Sequence, residues 1–179
     1  MRASIFIATS FDGFIARPDG SLDWLPGADG TPLPEDHGYH AFIATVDVVL
    51  LGRGTYEKVL TFDEWFYPKD MAVRVLTTRP LEIPASLPPT VQTMSGSPEA
   101  IVAELDRQGF RHAYVDGGKT IQAFLRAGLI QKMTLTQIPV LLGEGIPLFG
   151  RLPHDLPLQH TRTRSLAGGL VQSEYEFRT

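Results

Sequence analysis

The run Val48-Val49-Leu50-Leu51 followed by Gly52-Arg53-Gly54-Thr55 constrains the fold more than any other part of the chain. Four consecutive apolar residues, joined to Val46 with only Asp47 between, read as a strand covered on both faces, as in a parallel sheet. The backbone must then turn sharply. Gly52 and Gly54 permit that turn and let a ligand approach the main chain, and Thr55 stands where a helix N-cap is expected. Free N–H groups and the helix dipole favour a phosphate at such a place. Arg53 adds a rigid, planar fork of donors that can grip a phosphate in two places. A βα turn carrying a solvated arginine accounts for the same residues, so the rest of the chain has to decide.

The 179 residues are 43% hydrophobic and 20% charged, which suits one globular domain with one sizeable core. A net charge of −4 gives no long-range attraction for nucleic acid or an anionic membrane, so any phosphate site must be local and partners are expected to be small molecules. Cysteine is absent, which removes disulfides, thiolate catalysis and cysteine zinc sites. The apolar opening Ile5-Phe6-Ile7-Ala8 is cut off by Thr9, Ser10 and Asp12, too short for a signal-peptide core or a membrane span, and the cytoplasm is the expected location.

Ile5 to Thr9 reads as a strand and residues 10–34 as mostly loop, with Asp12-Gly13 and Asp19-Gly20 as turns and Pro18, Pro26, Pro32 and Pro34 along it. A helix is expected from Pro34 to about Thr45, although Gly38 weakens it. Strand 46–51 and a helix from Thr55 to about Leu60 follow. Further strands are expected at Val73 to Thr77, Thr90 to Met94, His112 to Val115 and Lys132 to Ile138. Helices are expected from Ser97-Pro98-Glu99, an ordered N-cap, N1 proline and early acid, to Gly109, and from Lys119 to Arg126. Residues 158–178 read as a hairpin turning near Ala167-Gly168-Gly169. Strands alternating with helices, then an antiparallel end, indicate a three-layer α/β/α fold on a mixed, mostly parallel sheet.

Three predicted strand ends carry ligand-friendly residues: Gly52-Arg53-Gly54-Thr55, Leu76-Thr77-Thr78-Arg79 and Gly117-Gly118-Lys119-Thr120. Ligands bind at the carboxyl ends of strands in open α/β sheets, so the three loops can share one crevice. Two phosphate seats suit the two halves of a dinucleotide. Neither the G-x-G-x-x-G fingerprint nor the Walker pattern G-x-x-x-x-G-K-[ST] is present, which disfavours the standard dinucleotide and nucleoside-triphosphate folds.

The order of Ala8-Thr9-Ser10-Phe11-Asp12-Gly13-Phe14-Ile15-Ala16, Gly52-Arg53-Gly54-Thr55-Tyr56-Glu57, Leu76-Thr77-Thr78-Arg79, Val115-Asp116-Gly117-Gly118 and Pro139-Val140-Leu141-Leu142-Gly143-Glu144-Gly145-Ile146-Pro147-Leu148-Phe149 resembles the dihydrofolate reductase superfamily. Its nearest branch by these motifs is the reductase domain of the riboflavin-pathway bifunctional deaminase-reductase and its stand-alone bacterial relatives. The resemblance spans roughly residues 3 to 177. It implies a dihydrofolate-reductase-like fold, NADPH as cofactor and commonly a homodimer. By the same resemblance Arg53 and Thr55 hold the ribose phosphate, and Thr77, Thr78 and Arg79 flank the adenosine end. Gly117, Gly118, Lys119 and Thr120 take the pyrophosphate, and Ala8 and Ile15 the nicotinamide. The implied reaction is hydride transfer to a pterin-like or ribosylaminopyrimidine-like heterocycle, such as reduction of 5-amino-6-(5-phosphoribosylamino)uracil.

Such a reduction also needs a proton. Leu33-Pro34-Glu35-Asp36 matches the Leu-Pro-x-Asp pattern that carries the acid in dihydrofolate reductases, which makes Asp36 the candidate; Glu35 and Asp36 also suit the positive end of a helix and nothing more. Asp12 is the rival and a candidate substrate contact, and Asp-Gly is also a common turn. Trp24, in the long loop, is the better placed of the two tryptophans to stack on a flat substrate. Asp116 departs from the apolar residue that precedes the glycine pair in dihydrofolate reductases and resembles the acidic residue of the riboflavin branch, which points away from dihydrofolate. His37 and His40 have a spacing that can place two imidazoles on one face, but no further ligand cluster accompanies them and no metal is expected. A non-catalytic nucleotide-binding module is the alternative from another class; a phosphate-ester hydrolase would need a metal cluster or nucleophile that the sequence lacks.

Overall fold

The computed structural model describes residues 1–31 and 33–178. Pro32, one of the prolines in the expected loop, and Thr179 lie outside the described residues. The elements run β1 (Arg2–Ser10), β2 (Phe14–Ala16), α1 (Tyr39–Ile43), β3 (Val48–Gly52), α2 (Arg53–Val59), β4 (Ala72–Leu76), β5 (Val91–Met94), α3 (Pro98–Arg107), β6 (His112–Asp116), α4 (Gly118–Arg126), β7 (Lys132–Ile138), β8 (Ile146–Pro147), β9 (Leu158–Ser165) and β10 (Val171–Phe177). Eight strands form one sheet in the order β5-β4-β3-β6-β1-β7-β10-β9, and β2 pairs with β8 in a separate ribbon. Strands β5 through β7 in that order are mutually parallel; β10 runs antiparallel to both β7 and β9.

The apolar run that suggested a doubly covered strand is β3, third from the edge. Val48 and Leu50 face one layer, with Ile101 and Leu105 of α3 and Ile121, Phe124 and Leu125 of α4. Val49 and Leu51 face the other, with Ile43 of α1 and Tyr56 and Val59 of α2. All four β3 side chains are fully buried. The expected three-layer α/β/α fold is therefore present. α3 starts as its sequence indicates, with Ser97 Oγ accepting from the Ala100 N–H at 3.3 Å, Pro98 in the first turn and Glu99 behind it.

Some boundaries differ. The helix expected from Pro34 is confined to Tyr39–Ile43, because His37 and Gly38 take left-handed φ values of 55° and 84° that no helix interior accepts. Thr55 is not the N-cap of α2. Gly52, still extended as the last residue of β3, is the cap, Arg53 is the first helical residue and Thr55 the third. The loop after β1 holds the short strand β2, which pairs Phe14 with Pro147 and Ala16 with Ile146; two or three residues joined over such a separation leave no periodicity to read. In the C-terminal hairpin β10 is interior and β9 is the edge. Tyr175 and Phe177 of β10 are half-buried against the core. No helix among the described residues is long and apolar enough to cross a membrane.

Leu50, buried between two helical layers, offers a direct test of this layering. Leu50→Ala is expected to lower unfolding free energy by about 2–5 kcal/mol, read from urea denaturation; a loss under about 1 kcal/mol would place Leu50 at a surface.

Candidate active site

β4, β3 and β6 are adjacent and parallel, so their carboxyl ends bring the three sequence loops side by side. The junction between β3 and β6 is reciprocal. A Cβ built on Gly52 would stand 2.6 Å from Thr120 Oγ1 of α4, and one built on Gly117 would collide with Thr55 Oγ1 of α2. Gly117 also holds φ at 91°, where a side chain is strained. Each glycine thus admits the threonine of the neighbouring helix. As a result the N-termini of α2 and α4 meet at one spot.

Neither of those N-termini has a side-chain cap or an acid in its first turn, in contrast to α3. Their free N–H groups and dipoles are left to an external anion. Arg53 closes the site on the β4 side: its Nε donates to Glu57 at 2.7 Å and its Nη1 to the Pro80 carbonyl at 3.4 Å. Thr77, Thr78, Arg79 and Pro80, after Leu76, line a cleft of about 490 Å³ with Thr93, Met94 and Ser95 at the end of β5. Lys119 and Gly54 are exposed beside the helix starts. Ile15 lies against Gly118, where a Cβ would stand 2.9 Å from its Cδ1. Ala8 is on β1, next to β6 in the sheet. Every residue expected at the cofactor thus lies on or beside the same edge.

The two carboxylates singled out for chemistry each accept several hydrogen bonds. The Asp36 carboxylate accepts from the His40 N–H at 2.8 Å, the Gly38 N–H at 2.9 Å and His40 Nδ1 at 2.7 Å. Those bonds, the His40 N–H foremost, hold its pKa down to about 2, which favours its anion at the approach to α1. Asp12 accepts from Ser10 Oγ at 2.6 Å and from the Leu142 and Gly143 N–H groups at 3.2 and 2.8 Å. The Ser10 bond above all lowers its pKa. It staples the turn after β1 to the loop after β7. Trp24 keeps its indole N–H buried without a partner, two residues before Pro26, which lines the cavity at His37. Among the described residues no group of three or more His, Asp or Glu converges as a metal site would require.

A third acid, Asp116, the last residue of β6, is half-buried. Its Oδ1 accepts from the Gly117 N–H at 2.7 Å and its Oδ2 from Tyr67 Oη at 3.1 Å. Loss of solvent raises its pKa, against the opposing pull of those two bonds. Around it stands an aromatic group: Tyr67 meets Trp65 at 5.6 Å and Phe66 at 5.1 Å, Phe66 meets Tyr39 at 5.4 Å, and Tyr39 meets Phe6 of β1 at 5.8 Å between ring centroids. Tyr39 Oη and Trp65 Nε1 are buried with no hydrogen-bond partner. A carboxyl, two unpartnered donors and flat rings adjoin the anion seats. The Trp65-Phe66-Tyr67 triplet was the available signal for this wall, and its distance from every recognisable motif hid it.

This arrangement matches known proteins along its whole length. Residues 4–172 match the RibD C-terminal domain family. The chain belongs to that family. It is 35% identical over 172 residues to the uncharacterized protein YwjB of Bacillus subtilis, covering 96% of this chain and 95% of that one. Among solved structures, a putative riboflavin biosynthesis protein from Shewanella sp. PV-4 is 38% identical, with all of both chains covered and a TM-score of 0.91. A dihydrofolate reductase from Enterococcus faecalis complexed with NADP(H) shares the fold at 16% identity, with 99% of this chain and 97% of that one covered and a TM-score of 0.67. The dihydrofolate-reductase-like architecture is thus shared by family members and by a more distant reductase.

The raised pKa of Asp116 has a consequence for stability. A carboxyl that holds its proton more tightly folded than unfolded contributes stability at low pH that is lost as pH rises from the ordinary carboxylate range through the raised value. Asp116→Asn is therefore expected to abolish that decline and to raise the melting temperature at neutral pH. Equal or lower stability of the variant at pH 7 would show that the carboxylate is well compensated.

Proposed function

We propose that this protein is an NADPH-dependent reductase that delivers a hydride to a C=N or C=O carbon of a conjugated, pterin-like or ribosylaminopyrimidine-like heterocycle. The observation that carries the reading is the pair of adjoining, uncapped helix N-termini beside Arg53, with the half-buried Asp116 next to them. NADPH, when bound, supplies the hydride from its nicotinamide ring. In this reading Gly117, Gly118, Lys119 and Thr120 hold the pyrophosphate; Gly52, Arg53, Gly54 and Thr55 hold the 2′-phosphate. Leu76, Thr77, Thr78 and Arg79 border the adenosine, and Ala8 and Ile15 border the nicotinamide.

The proton comes from Asp116 in place of Asp36. A carboxyl with a raised pKa retains its proton further toward neutrality and gives it to the reduced nitrogen or oxygen, whereas one held at about 2 is ionised throughout the working range. After turnover the carboxylate is reprotonated from solvent. Tyr67, hydrogen-bonded to Oδ2, orients the carboxyl.

Two measurements test these roles. A charge-assisted hydrogen bond contributes roughly 1.5–3 kcal/mol, so Arg53→Ala is expected to weaken NADPH about ten- to a hundredfold and to leave NADH nearly unchanged. An unchanged NADPH:NADH ratio removes Arg53 from the 2′-phosphate. In cofactor-oxidation assays with pterins, flavins and aminouracils, Asp116→Asn is expected to lose at least about a hundredfold in kcat and Asp36→Asn only a few-fold. Wild-type kcat should fall as pH rises through the raised pKa of Asp116. Loss in Asp36→Asn with activity kept in Asp116→Asn would reverse the assignment, and NADPH binding without oxidation of any substrate would favour a non-catalytic binding module.

A further inference from the structure

A second feature of the same sheet face has no part in the scheme above. Between the loop that precedes α1 and the hairpin turn lies a cavity of about 220 Å³, walled by Pro26, Leu33 and Pro34 on one side and Ile138, Pro139 and Leu170 on the other, with Ala167 and Gly168 at its rim. Its one side chain with hydrogen-bonding atoms is His37. Both imidazole nitrogens are buried and neither has a partner; the Glu35 carboxylate, 4.0 Å from Nδ1, is beyond hydrogen-bonding reach.

This histidine is held in place at a cost. It is the only described non-glycine residue with a positive φ, 55°, a conformation that persists where surrounding contacts enforce it. The enforcing contacts are visible. The His37 carbonyl accepts from Arg164 Nη2 at 2.7 Å and from Gln172 Nε2 at 3.0 Å. Gln172, 2% exposed, also donates to Thr136 Oγ1 at 2.9 Å, and its Oε1 accepts from Arg164 Nε and Nη2 at 2.9 and 2.7 Å. Thr136 is the register partner of Ala8, and Ile138, in the cavity wall, is the partner of Ser10 two residues on. The cavity is thus the outward continuation of the face on which Ala8 lies. Buried polar atoms with no partner are uncommon in folded proteins and call for one.

We propose that the His37 cavity is a substrate subsite for an uncharged, ring-sized group carrying one hydrogen-bonding atom, so that the substrate bears no anionic tail at this end. The claim rests on the reductase reading only for the word substrate. An apolar cavity of about 150 Å³ is enough to take benzene, so the size suits a single substituted ring. Charge argues the same way. The guanidinium of Arg164 is engaged beneath His37 by Gln172 and the His37 carbonyl, while Glu35 and Asp36 stand at the loop, so a phosphate or carboxylate would enter an apolar chamber beside two acids. Neither a phosphoribosyl nor a glutamyl tail fits that description.

The test uses the intact protein and three probes of one shape: benzamide, benzoate and phenyl phosphate. Binding is followed by the ¹⁵N signals of the His37 ring and by titration, with and without NADPH. Benzamide is expected to shift the His37 signals and to bind at least about tenfold more tightly than either anion, without displacing NADPH. Ala167→Phe, which fills the chamber from its rim, should abolish benzamide binding, and His37→Phe should weaken it about tenfold. Unchanged circular dichroism and melting of both variants report an intact fold. Equal or tighter binding of benzoate or phenyl phosphate, an unmoved His37 signal, or full benzamide affinity in Ala167→Phe overturns the subsite. Benzamide binding by a protein that neither binds nor oxidises NADPH would overturn the reductase reading and leave the cavity assignment standing.

Discussion

The structure depends on a reciprocal exchange of glycine and threonine between two neighbouring βα turns. Gly52 ends β3 and makes room for Thr120; Gly117 follows β6 and makes room for Thr55. Because β3 and β6 are hydrogen-bonded neighbours, this close approach fixes the starts of α2 and α4 relative to one another. Two helix N-termini brought so near repel through their dipoles. The fold tolerates that unfavourable arrangement because the strands beneath them are fully buried, and an anion placed between the two ends relieves it. Affinity for an anion and local stability are therefore linked at this spot.

The same economy appears at Asp116. Placing a carboxyl at the end of a buried strand, among Tyr39, Tyr67 and Tyr114, raises its pKa by desolvation and costs stability once it ionises. An apolar residue would pack more easily there. A carboxyl whose pKa is raised in this way is a candidate for a functional site. Asp36 shows the opposite case. It is exposed, and it gathers two backbone N–H groups and an imidazole, which stabilise its anion and the approach to α1.

These contrasts explain which parts were legible in the sequence. The layered sheet was, because Val48 to Leu51 and the strands around it repeat a simple physical pattern, and because glycine at the ends of β3 and β6 announces sharp turns. The meeting of the three glycine- and threonine-bearing loops at one sheet edge was legible for the same reason: their residues are local to strand ends. What the sequence concealed depends on chain segments far apart. Helix α1 is short because Arg164 and Gln172, on β9 and β10, hold the His37 carbonyl in a strained turn, and nothing near Pro34 signals that. β2 exists only through pairing with β8. The hydrogen-bond partners of Asp12 and Asp36 were hidden as well, because a carboxylate in a turn and a catalytic carboxylate look alike in sequence.

The site is therefore built in two registers. Its anion-facing half is backbone chemistry, made of N–H groups, helix dipoles and glycines. Its other half is side-chain chemistry, carried by Asp116, the aromatic group at Trp65 to Tyr67, and His37, on segments whose positions are set by long-range contacts. Substrate choice on a shared scaffold can then change without disturbing the phosphate seats, because the two halves draw on different parts of the chain.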